Sequence, residues 1–143
     1  MISTKGRYAL RVMIDLAECE NTAVESDSKE PESAPYTALK DVAERQGVSK
    51  KYLEIIVKDL VSAGFIKGTR GKSGGYKLTR KPEEYTIQEI LDATEGDLAS
   101  VACLAKDAAE CPRSSFCKTL PMWQEYDDLT RDFFSKKKLS DLV

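Results

Sequence analysis

Residues 37–79 read TALKDVAERQGVSKKYLEIIVKDLVSAGFIKGTRGKSGGYKLT. Leu39, Val42 and Ala43 mark the apolar side of a short helix that Thr37 opens and Gly47 stops. Ser49 can cap the next helix, which places Leu53, Ile56, Val57 and Leu60 on one face. Gly64 fits the left-handed end of that helix. Two helices joined by a short turn containing Gly make a helix-turn-helix. Residues 65–70 and 76–79 then read as two short strands, joined by Gly71-Lys72-Ser73-Gly74-Gly75. A β-hairpin directly after a helix-turn-helix is the winged-helix arrangement. The predicted fold class is mainly α with a small β-hairpin.

Upstream, Ala9, Val12, Met13, Leu16 and Ala17 recur at helical spacing, with Ser3 or Thr4 placed to cap. Residues 20–35 lose that periodicity and are acidic, with two prolines and three serines. They read as a loop inserted between the first two helices. Downstream, Thr86-Ile87-Gln88-Glu89 reads as a capping box for a helix that Gly96 ends. Residues 97–119 read as irregular. Pro121 suits the first turn of a long final helix. Trp123, Tyr126, Leu129, Thr130, Phe133 and Phe134 give it a broad apolar stripe. A second copy of the chain is the simplest cover for that stripe. The expected domains are therefore 1–82, a winged helix-turn-helix, and 83–143, a cysteine loop with a dimerisation helix.

Composition narrows the functions. The chain has 143 residues, no His and a formal charge of −2. Without His there is no Ser-His-Asp or Cys-His catalysis and no Cys2His2 finger. A cysteine nucleophile would lack its usual base, and Gly71-Lys72-Ser73 lacks the upstream Gly and following helix of a phosphate loop. The chain is expected not to be an enzyme. No apolar run is long enough to span a membrane and Met1 leads straight into a patterned helix, so a cytoplasmic protein is expected. The small net charge conceals an uneven distribution. Residues 36–82 hold eleven basic and four acidic side chains, 20–35 hold one and five, and 83–143 hold seven and thirteen. A basic segment that coincides with a helix-turn-helix and a wing points to double-stranded DNA.

A major groove admits one α-helix, whose N-terminal residues reach base edges. The exposed first turn of the third helix offers Ser49, Lys50, Lys51, Tyr52 and Glu54. Glu54 can accept from a cytosine amino group. Thr37, Lys40 and Arg45 are expected over phosphates. Arg70, Gly71, Lys72, Ser73 and Gly74 form the wing tip, where an Arg suits a narrow minor groove.

Cys103, Cys111 and Cys117 form a Cys-x7-Cys-x5-Cys array, and Cys19 stands apart near the end of the first helix. Three thiolates on a loop can clasp a soft metal centre. The spacing also leaves open a thiol switch or uncommitted thiols. Cys19 reads as a small buried thiol.

Three segments carry a family resemblance: Ser3-Thr4-Lys5-Gly6-Arg7-Tyr8-Ala9, then Ala43 to Glu54, then Arg70 to Tyr76. Together they resemble the Rrf2 family of bacterial winged-helix regulators over nearly the whole chain. The resemblance implies a homodimer with crossing C-terminal helices and two wings on one palindromic operator. It implies that Arg7, Tyr8, the Ser49–Glu54 turn and Arg70 contact DNA. It also implies that Cys103, Cys111 and Cys117 match cluster-binding cysteines, so that a [2Fe-2S] or [4Fe-4S] cluster is the expected cofactor. One branch of the family carries a His three positions after the third cysteine; here that position is Leu120. The fourth ligand would then come from elsewhere: Asp15 or Glu18 of the partner subunit, a small thiol or water. The expected function is a DNA-binding repressor whose operator affinity an Fe–S cluster controls. The second reading is a regulator of the same fold without a cluster, sensing oxidants or a small metabolite through its thiols or a dimer pocket.

Overall fold

The computed structural model describes residues 1–26 and 34–143, with the side chains of 24–26 left aside. Helices α1 (Thr4–Ser26), α2 (Leu39–Gln46) and α3 (Lys50–Ser62) come first, then strands β1 (Ile66–Thr69) and β2 (Gly75–Leu78), then helices α4 (Ile87–Glu95) and α5 (Leu120–Lys136). Short 3-10 turns follow β2, interrupt the cysteine loop and close the chain at Leu139–Leu142.

The apolar periodicities decide which faces turn inward. Ala9, Val12, Met13, Leu16 and Ala17 of α1 are buried, as are Leu39 and Val42 of α2 and Leu53, Ile56, Val57 and Leu60 of α3. Each of the larger side chains contributes roughly 1.5–3 kcal/mol by leaving water. Ile66, Leu78, Tyr85, Ile90 and Leu139 complete the same cluster, so the wing, α4 and the closing turn pack on one core with α1–α3. Tyr85 is fully buried, yet its hydroxyl is satisfied. It donates to the Phe65 carbonyl at 2.7 Å and accepts from the Thr79 and Arg80 amides at 3.0 and 2.9 Å. One phenol thus fastens both ends of the hairpin.

The strands pair antiparallel in the register Ile66↔Leu78 to Thr69↔Gly75. Gly47 takes φ 62° at the end of α2, and Gly64 takes φ 75° just past α3, the left-handed stops expected of them.

Three local expectations change. The first helix continues to Ser26, so residues 20–26 are not loop; Thr22 joins its turns by donating to the Glu18 carbonyl at 2.9 Å. The remainder of that acidic stretch, 27–33, lies outside the described residues. Thr37 does not open α2, which starts at Leu39 with Ala38 as its N-cap. Thr37 instead pairs with Tyr76, N to O at 2.9 Å and O to N at 2.8 Å, and adds a third edge to the hairpin. The capping box at Thr86 is half formed. Thr86 Oγ1 accepts from the Glu89 amide at 3.1 Å, but the Glu89 carboxylate accepts from Arg80 at 2.6 Å.

Candidate nucleic-acid interface and cysteine loop

Ser49 Oγ accepts from the Tyr52 amide at 3.2 Å and so caps α3. With Leu53, Ile56, Val57 and Leu60 inward, helical periodicity turns Lys51, Ile55 and Lys58 outward, and Lys50 and Glu54 are exposed beside them. Tyr52 is half-buried, its ring edge-on to Tyr8 at 5.9 Å. Arg11 lies over the Tyr8 ring at 4.8 Å. Arg7 is exposed, and its guanidinium donates to Thr4 Oγ1 at 3.2 Å.

The hairpin projects beside α3. Glu54, Lys58, Arg70 and Tyr76 line one groove of about 470 Å³ between helix and wing. Lys72, Ser73 and Gly74 face Tyr36, Ala38 and Asp41 across a second groove of about 400 Å³. Arg70, Gly71, Lys72 and Ser73 are exposed, as is Lys40 on α2. Gly75 makes this docking possible. A Cβ there would stand 2.1 Å from the Thr37 carbonyl oxygen, so only glycine lets β2 approach the start of α2 this closely.

The basic residues divide into two groups. Arg80 pairs with Glu89, and Lys77 is buried against Tyr36 and the Ala34 carbonyl. Arg45 was expected over a phosphate, but its guanidinium is committed to the buried Asp15, at 2.7 Å from Nη2. Asp15 also accepts from Gln46 Nε2 at 2.8 Å, and this engagement makes it a poor spare metal ligand. The carboxylate raises the Arg45 pKa above its ordinary value, chiefly through that hydrogen bond. By contrast, Lys50, Lys51, Lys58, Arg70 and Lys72 form no hydrogen bond or ion pair among the described residues. These five belong to α3 or the wing, and Lys40 of α2 is likewise without a partner among the described residues.

The cysteine loop runs between α4 and α5. Asp97 organises it: Oδ1 accepts from the Ala99 amide at 2.8 Å and Oδ2 from the Lys106 amide at 2.6 Å. These bonds, led by that from Lys106, hold its carboxyl below the ordinary range. Asp127 of α5 is buried and accepts from the Ser100 amide at 3.0 Å. Cys103 is exposed, Cys111 and Cys117 are half-buried, and none is in a disulfide. The Thr119 hydroxyl, 3.4 Å from Cys117 Sγ, is the main cause of a lowered Cys117 pKa. Among the described residues no three Cys, Asp or Glu side chains gather closely enough to hold a metal ion. Cys19 is half-buried, with Arg45 Nη2 at 3.4 Å. On α5, Tyr126, Leu129 and Phe133 are 55%, 64% and 56% exposed. They line an apolar groove of about 710 Å³ with Ile2, Leu98 and Trp123.

The Rrf2 profile, described as an iron-dependent transcriptional regulator, matches residues 2–143. The chain belongs to the Rrf2 family. Rrf2 relatives include Protein rrf2 of Nitratidesulfovibrio vulgaris, 36% identical over 124 residues, covering 87% of this chain and 74% of that one. The HTH-type transcriptional regulator IscR of Aliivibrio salmonicida is 29% identical over 142 residues, covering 99% and 76%. Among solved structures, CymR, the global cysteine regulator of B. subtilis, superimposes with a TM-score of 0.73 at 32% identity, covering 99% of this chain and 95% of that one. IscR of T. potens gives 0.71 at 27%, covering 99% and 85%. The chain is thus a DNA-binding transcriptional regulator and not an enzyme, and none of its helices among the described residues is long and apolar enough to cross a membrane.

Sequence reasoning missed two sets of residues. Ile55 and Lys58 lie off the apolar face of α3, and the 53/56/57/60 spacing already placed them there. Asp97 accepts from Lys106 and Asp127 from Ser100 across the loop, and no local pattern marks those two bonds, unlike the turn that Asp97 makes with Ala99.

Proposed function

We propose that this chain is a cytoplasmic, homodimeric repressor that reads a palindromic operator with α3 and the wing. The observation that carries the reading is the set of unpaired cations on α3 and the wing tip, on either side of a groove that also holds Glu54. In this reading residues 1–82 bind DNA and 83–143 sense and dimerise. Lys50 and Lys51 sit at the start of α3, Glu54 accepts from a base edge, and Arg70 and Lys72 enter or flank the neighbouring minor groove. Thr37, Lys40, Arg7 and Tyr8 border the same face. The exposed apolar stripe of α5 supports a second copy as its cover.

Cys103, Cys111 and Cys117 would hold an Fe–S cluster. The donor chemistry fits: three unpaired thiols on one loop, with Cys117 biased toward thiolate. Bound there, a cluster would supply a redox- and iron-sensitive cross-link of the loop. The chain's own part is to place that loop, through Asp97 and Asp127, against the middle of α5. The same thiols, with Cys103 exposed and Cys111 and Cys117 half-buried, support the second reading, in which they respond to oxidants directly.

Selection from a random duplex library tests the DNA reading. An inverted repeat should be enriched, and log K should fall with log salt by roughly 0.9 per phosphate neutralised. No enrichment would end that reading. Iron and acid-labile sulfide in anaerobically purified protein test the cofactor. A colourless, iron-free protein that binds the enriched duplex and takes up no cluster on reconstitution would leave the thiol reading in its place.

A further inference from the structure

Ile55 is 53% exposed near the middle of α3. Lys51, Ile55, Lys58 and Ser62 follow one another at helical spacing, opposite the buried line of Leu53, Ile56, Val57 and Leu60. A single exposed isoleucine is ordinary on a protein surface. The surroundings of this one are not. Lys51, Glu54 and Lys58 around it are exposed and without partners among the described residues. Val61, the other exposed apolar residue of α3, lies instead in the groove beneath the wing.

An exposed apolar group flanked along the helix by two free lysines, Lys51 and Lys58, matches a surface that is anionic and carries one apolar feature. On base edges in the major groove that feature is the C5-methyl of thymine. We propose that Ile55 reads a thymine methyl in each operator half-site. The inference rests on the DNA docking proposed above and adds a specificity-determining residue to it. Isoleucine offers no hydrogen bond, so its contact separates thymine from cytosine by the methyl alone. Glu54, one residue earlier and facing the wing groove, remains free to accept from a cytosine amino group. The two positions would therefore read different base pairs by different chemistry.

The test uses the full-length protein and the duplex enriched by selection. Each thymine is replaced in turn by uracil, which removes the methyl and preserves pairing. One position per half-site should bind about fourfold more weakly, the effect expected for one buried methyl group. Ile55→Ala should bind the thymine and uracil duplexes equally, with an unchanged salt slope. Three results would overturn the assignment: an enriched half-site without thymine, wild-type affinity insensitive to every uracil, or an alanine variant that keeps the full uracil effect. Failure to enrich any duplex is a separate outcome, which removes the docking itself and this contact with it.

Discussion

Glu95 Oε1 stands 2.0 Å from where a Cβ on residue 6 would lie, so Gly6 and Glu95 share one space. That oxygen accepts from the Ser3 amide at 2.9 Å, the Ser3 hydroxyl at 2.8 Å and the Gly6 amide at 3.0 Å. The last residue of α4 thereby caps the first turn of α1, where a carboxylate also meets the positive end of the helix dipole. Glu95→Ala should cost about 1–2 kcal/mol of unfolding free energy. Gly6→Ala in the native background displaces the carboxylate and should also destabilise. In the Glu95→Ala background the same change should become favourable, by up to about 1 kcal/mol of helix propensity. Chemical denaturation of the four proteins measures this sign reversal, and additive effects would show that the two residues do not compete.

Arg45→Ala removes the main partner of a carboxylate that is only 3% exposed. Gln46 remains, at 2.8 Å. The expected loss is roughly 1–3 kcal/mol, because a buried acceptor loses a charged donor. Arg45→Lys should recover only part of it, since a point charge cannot replace the fork of bonds to Asp15. The salt slope of DNA binding should stay unchanged in both variants. A slope shallower by about one phosphate contact would return Arg45 to the interface.

These two pairs mark where local pattern stops carrying information. The helices, the hairpin and the buried faces of α1 and α3 follow from spacing, because burial of one face imposes a period on the sequence. Ser49, Gly47 and Gly64 follow from cap chemistry. Arg45 shows the limit: its spacing and charge resemble those of any surface cation, and only the fold brings it to Asp15, thirty residues away. Thr37 shows another. A threonine before an apolar repeat reads as a helix cap, yet the absence of a Cβ at Gly75 lets β2 take its backbone instead. The α1 extension to Ser26 runs through acidic residues that an apolar periodicity cannot register. The cysteines were legible as a set, but not the aspartates that shape their loop.

Arg70 and Lys51 sit on opposite sides of the proposed reading surface, one on the wing and one on α3. Replacing either by Ala should lower affinity for the selected duplex and reduce the salt slope by roughly 0.9 if it neutralises a phosphate. Stability should be unaffected, since neither side chain has a partner among the described residues. Gly75→Ala should separate the two contributions. Its Cβ would drive β2 from Thr37, breaking two backbone hydrogen bonds at a cost of roughly 1–3 kcal/mol. The misplaced wing should then make Arg70→Ala nearly silent, while Lys51→Ala keeps its full effect. Gel-shift titrations over a range of salt measure all three, and a Gly75→Ala protein still fully sensitive to Arg70→Ala would detach the wing from this docking.

Glu20 ties the end of α1 to the wing, accepting from the Leu78 amide at 2.8 Å. Burial raises its pKa above the ordinary 4.5, more than that amide, Lys77 and Lys67 lower it. The folded state therefore favours the protonated acid. A raised carboxyl pKa adds stability that is complete below the ordinary value and is lost as pH rises through the folded value. Glu20→Gln stays neutral at every pH and keeps an oxygen for Leu78. The stability of the variant relative to wild type should therefore rise as pH climbs from below 4.5 past the raised value, then level off. Paired urea titrations across that window give the difference directly and cancel the titration of the other carboxyls. Two parallel curves would mean that Glu20 is as well solvated in the folded protein as in the unfolded chain, and that its bond to the wing carries no protonation dependence.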